Sequence, residues 1–103
     1  MSRGPDAGTL LVRALYRSAC AAGCPLEIAD SDWVRWASAT FTGARHTIRW
    51  TALPSPALDA WLAALPDADL LLRGHLVADI HVAGLTRDSS GVTIELEALT
   101  IEQ

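Results

Sequence analysis

Between Leu70 and Leu85 the sequence LLLRGHLVADIHVAGL alternates with a period of two, the spacing at which successive side chains of a β-strand leave on opposite faces. Leu70, Leu72, Leu76, Ala78, Ile80 and Val82 fall on one side, and Arg73, His75, Val77, Asp79 and His81 on the other. One face asks for a core and the other for solvent or a partner, so the segment belongs to a sheet covered on one side. The last residues, GVTIELEALTIEQ, alternate in the same way, and RDSSG between the two segments reads as a turn. Keeping Ile80 and Val82 on the face of Ile94 and Leu96 requires a loop of three or five residues; either choice sets His81 across from a glutamate, Glu95 or Glu97.

The rest of the chain supplies the layer that such a sheet needs. Residues 1–7 read as a loose leader; from Gly8 to Ala22 the residues Leu11, Ala14, Leu15, Ala19 and Ala22 follow the helical period, capped by Asp6 or Thr9 and stopped by Gly23 and Pro25. Leu26 and Ile28 alternate with Glu27 in a short strand-like piece, interrupted at Asp30, Ser31 and Asp32 by a turn or bulge. In ASATFTGARHTIRW, Gly43 and Ala44 suit a two-residue type II′ turn, which pairs Phe41 with His46, Ala39 with Ile48 and Ala37 with Trp50. A second helix follows Pro56, with Leu58, Trp61, Leu62 and Leu65 as its apolar stripe, Ser55 as cap and Pro66 as stop.

The expected fold is therefore an α+β domain spanning residues 1–103, in the order α-β-β-α-β-β: a four-stranded antiparallel sheet with two helices on one face. A short fifth strand over 26–30 is the variant of this arrangement. A shift of 46 residues lays TIRWTAL (47–53) on TIELEAL (93–99) and helix on helix, which admits an internal duplication about a pseudo-twofold axis.

Charge and thiols narrow the functional classes. The formal charge is -4, Lys is absent and the eight Arg are scattered, which argues against nucleic acid or an anionic membrane as partner. Cys20 and Cys24 lie one helical turn apart with no second pair to complete a metal site, so they read as helix residues of a reducing, cytoplasmic setting. Ala21-Ala22-Gly23-Cys24 resembles the end of a bacterial lipoprotein signal, but Arg13 and Arg17 interrupt the apolar run and Asp6 spoils the basic start. No stretch approaches the length of a transmembrane helix.

Two readings of the charged sheet face compete. His81 with Asp79 and a facing Glu95 or Glu97 makes a proton-transfer cluster, the basis for a small hydrolase or isomerase, metal-assisted or not. His75 lies six residues from His81, roughly 20 Å along a strand, too far to share one ion. There is no G-x-S-x-G and no phosphate-binding glycine loop, so no cofactor or metal is expected. The second reading starts from Trp36, which shares the polar face with Arg49, Arg73, His75 and Val77, alongside Leu53, Leu71, Leu99 and Ile101. An aromatic with aliphatic neighbours on a sheet face left open by the helices marks an interface. That reading leads: a small soluble binding or assembly module, self-associating as a dimer or larger homo-oligomer. His46, on the apolar face, reads as a partly buried, hydrogen-bonded histidine beside Phe41.

Overall fold

A computed structural model describes residues 6–103. The leader expected over 1–7 lies outside the described residues as far as Pro5; Asp6 already caps the first helix, its carboxylate accepting from the Thr9 N–H at 2.8 Å. That helix, α1 (Ala7–Ala21), buries Leu11, Ala14, Leu15 and Ala19, one stripe at helical spacing. It ends where Gly23 takes a positive φ of 83° and the N–H groups of Gly23 and Cys24 return to the carbonyls of Cys20 and Ala19. Removal of everything before Cys24, as a lipoprotein signal would require, would take Leu11 and Leu15 out of the core.

Strand β1 (Glu27–Ala37) turns through residues 38–41 into β2 (Thr42–Ala52). Helix α2 (Pro56–Ala64) follows, with Ser55 Oγ accepting from the Leu58 N–H at 3.0 Å, then a 3-10 turn over Leu65–Asp67. The chain closes with β3 (His75–Asp88) and β4 (Gly91–Glu102). All neighbours are antiparallel, and the sheet order is β1-β2-β4-β3. The α-β-β-α-β-β order, the two helices and the four-stranded sheet agree with the expectation; residues 26–30 are no fifth strand but run into β1. Leu11 and Leu15 from α1 and Leu58, Trp61 and Leu62 from α2 meet Ile48, Trp50, Ile94 and Leu96 of the central strands in one core, and the Trp61 indole N–H donates to Ser18 Oγ at 3.0 Å between the helices.

Three details of register differ from the sequence reading. The first hairpin does not turn at Gly43: Ser38 organises the turn, its hydroxyl accepting from the Phe41 N–H at 3.1 Å, and Ala37 pairs with Thr42. His46 thus faces Trp33 rather than Phe41, a displacement of eight residues, and because eight is even the assigned faces survive. Gly43 has a different purpose. A Cβ there would stand 1.9 Å from the Thr100 carbonyl oxygen, so the residue permits close approach of β2 and β4.

The second hairpin turns through only Ser89 and Ser90, with Asp88 opposite Gly91 and the Asp88 carboxylate accepting from the Ser90 N–H at 2.8 Å. The odd residue demanded by the face pattern comes instead from a bulge at Ala83, between the pairs Val82–Leu96 and Gly84–Glu95. A further bulge at Ala78 reverses the faces below it. Val77 packs against the core and His75 turns to the helix side, while Leu76 moves to the outer face.

The strand also begins later than expected. Residues 70–74 form a loop closed by the Leu72–His75 bridge, with Gly74 at φ 79°, so Arg73 sits in a turn and not in the strand. At the centre of the sheet Arg49 pairs with Glu95, residues separated by the same 46 positions as the sequence offset.

Candidate functional site

The outer face, bare of helices, is built of cross-strand rows. At one end Trp36, Gly43, Ile101 and Leu76 stand side by side across all four strands, and the next row is Val34, Arg45, Leu99 and Asp79. Then come Asp32, Thr47, Glu97 and His81, followed by Asp30, Arg49, Glu95 and Gly84, and last Glu27, Thr51, Thr93 and Thr86. The face therefore grades from aromatic and aliphatic through charged to hydroxyl-bearing. Trp36 lies over Gly43, where an added Cβ would meet its ring at 3.0 Å; Val34 is 65% exposed and Leu76 49%.

His81 pairs with Glu97, one of the two glutamates that the alternation allows, and its ring is bracketed: Nδ1 lies 3.4 Å from an Asp79 oxygen and Nε2 3.2 Å from a Glu97 oxygen. Glu95 is instead one row away, opposite Arg49 at 3.8 Å. All of these groups are substantially exposed, and such pairs contribute little, about 0–1 kcal/mol each. Because the two carboxylates sit at opposite ring nitrogens, their oxygens do not converge on one point; among the described residues no group of three or more His, Cys, Asp or Glu is placed to hold a metal ion. The depression beside His81, about 190 Å³, holds one hydroxyl, that of Thr47, and no His81–Thr47 hydrogen bond forms among the described residues.

Of the expected interface residues, Trp36 and Arg49 stand on the outer face, as do Leu99 and Ile101. Val77 and His75 do not, because the Ala78 bulge turns them inward, and Arg73, Leu53 and Leu71 lie in loops. The separation of His75 from His81 is thus greater than distance along the strand suggests, since they occupy opposite faces.

On the helix side, His46 is 2% exposed and its Nε2 is hydrogen-bonded to Thr100 Oγ1 at 2.9 Å. Burial, with His75 nearby, holds its pKa below the ordinary 6.5, while Asp6 pulls the other way. The unfolded chain therefore binds a proton that the folded one resists: this contribution is complete above about pH 6.5 and is lost as pH falls below it. Urea midpoints are expected to decline on acidification through that range and to decline less in His46→Gln; identical pH profiles for the two proteins would contradict the assignment.

No protein family matches this chain, and no curated protein matches it. Among solved structures the fold is similar to that of the type 4 fimbrial biogenesis protein PilO from Pseudomonas aeruginosa, at 14% identity and a TM-score of 0.52, covering 97% of this chain and 70% of that one.

Proposed function

We propose that the protein is an assembly module that joins copies of itself through the outer face of its sheet. The carrying observation is the group of Trp36, Ile101 and Leu76 in one row with Val34 and Leu99 in the next, apolar residues interrupted in the second row by Arg45 and Asp79, on the one sheet face that no helix covers. Both edge strands carry bulges, at Ala29 in β1 and at Ala78 and Ala83 in β3, and β1 adds Asp30 and Asp32, features that resist strand addition at an edge. These features favour contact through the face over strand addition at an edge. The likeness of fold to a fimbrial biogenesis protein supports an assembly reading at the level of architecture.

Sedimentation at concentrations rising to about 1 mM, where a contact of about 4 kcal/mol is half-populated, tests it. The weight-average mass is expected to rise with concentration and to stay monomeric in Trp36→Ser/Leu76→Ser. A wild type that stays monomeric throughout, or a variant that associates equally, would overturn the reading.

His81 held between Asp79 and Glu97 keeps a second reading in play, proton-transfer catalysis by a hydrolase or isomerase. It requires a turnover that His81→Ala abolishes while the fold is retained.

A further inference from the structure

The outer face carries its charges in columns as well as in rows. On it β2 presents Arg45 and Arg49 and no acid, while β4, beside it, presents Glu95 and Glu97 and no base. The edge strands add Glu27, Asp30 and Asp32 from β1, and Asp79 and His81 from β3. Within one chain the two central columns meet in the Arg49–Glu95 pair at 3.8 Å, and both side chains keep enough exposure to take a second partner. Arg45 has no ion-pair partner among the described residues.

Two copies can lay this face together about a twofold axis in two ways. With the axis across the strands, each strand lies on its own counterpart. Arg45 then faces Arg49, Asp32 and Glu97 each face themselves, and the apolar row at one end meets the hydroxyl row at the other. With the axis along the strands, midway between β2 and β4, each row lies on its own counterpart and the strand order reverses.

We propose that the protein dimerises in the second way, with β2 of each copy over β4 of the other and Arg49 of one copy against Glu95 of the second. The inference rests on self-association through the outer face and adds to it which residues meet. Trp36 comes onto Leu76 of the second copy, Ile101 onto the end of the face where the Trp36 ring overlies Gly43, Asp32 onto His81, and Arg45 beside Asp79. Two internal Arg49–Glu95 pairs become a ring of four alternating charges, which fixes the register of the contact. Packed sheets cross at about 30°, and facing residues are displaced least on the central strands, where Arg49 and Glu95 stand. Five rows on four strands cover on the order of 600 Å² per copy. That is short of the roughly 800 Å² of a stable complex, so the contact is weak and is weakened further by salt.

The test exchanges the charges. A chain carrying both Arg49→Glu and Glu95→Arg keeps its net charge and its internal pair. It is expected to associate with itself as the wild type does, but at least about tenfold more weakly with the wild type, because the mixed contact sets arginine on arginine and glutamate on glutamate. Each single variant is expected to self-associate at least about tenfold more weakly than the wild type, and the two to recover when mixed. Net attraction cannot explain that recovery, since each substitution moves the formal charge of -4 by two and both chains stay negative. Sedimentation with a dye on the exposed Cys20 thiol of one component, on the helix side of the sheet, reads the mixed association. Free mixing of the double variant with the wild type, single variants that associate unchanged, or tighter self-association of Arg49→Glu, which the crosswise axis requires, would overturn this arrangement and leave self-association through the face standing. A wild type monomeric at about 1 mM would overturn both. Should a single variant lose its fold, the double variant decides alone.

Discussion

Replacing Gly43 by alanine is expected to destabilise the protein by about 3 kcal/mol or more, the upper end of what overpacking costs. The added Cβ meets the Thr100 carbonyl oxygen at 1.9 Å, and backbone cannot swing aside as a side chain can. Relief requires β2 and β4 to part beside the hydrogen bond between His46 and Thr100, or the Trp36 ring, at 3.0 Å from the new atom, to lift away from the sheet. Neither movement is local, since β2 and β4 are the two central strands. For a domain of this size the loss corresponds to a fall in Tm of about 12 °C or more. Thermal and urea unfolding measure it, and a change below about 1 kcal/mol would mean that the two strands are not so close at this point.

Trp50→Ala is expected to cost a similar amount or more, about 3–5 kcal/mol. The residue is 1% exposed and sits among the helix residues and the neighbouring Ile48 and Ile94. Its indole N–H has no partner among the described residues, so the loss is one of packing and of the cavity left behind rather than of a hydrogen bond. Such a cost is a large part of the 5–15 kcal/mol that holds most small domains folded. The same truncation at Trp36, half-buried on the outer face, is expected to cost clearly less. A urea series that ranked Trp36→Ala at or above Trp50→Ala would show that the helices cover the other side of the sheet.

These two positions also show what alternation in a sequence can and cannot convey. Period two assigns faces, and faces survive any even error of register; Trp50, Ile48 and His46 remained inward and Trp36 outward although the first hairpin turns in a different place. Helix limits were equally legible, because Asp6, Ser55, Gly23 and Pro56 act through local geometry. Gly43 was misleading because a glycine before alanine serves a tight turn or a close strand approach equally well, and only the partner strand decides. The bulges at Ala78 and Ala83 left no mark in composition, yet one moved His75 and Val77 off the outer face and the other let a two-residue turn satisfy an odd count.

The cluster of His81, Asp79 and Glu97 was visible, since it rests on alternation and on pairing of neighbouring strands. The half exposure of Ile28 and Trp33 beside α1 was not, because how far the first helix covers β1 is a property of packing between distant segments.

The grading of the outer face sets a scale for any contact made there. Four strands about 4.8 Å apart and two rows about 7 Å apart bound an area on the order of 200–300 Å², of which Arg45 and Asp79 take a share, so the apolar patch is smaller still. A stable complex buries roughly 800 Å² on each partner. Copies meeting at such a patch would separate readily when dilute and stay together when something else tethers them at millimolar effective concentration. Its strength would then be set by how many units are tethered side by side, and the geometry of the tether, more than the patch, would decide which units meet.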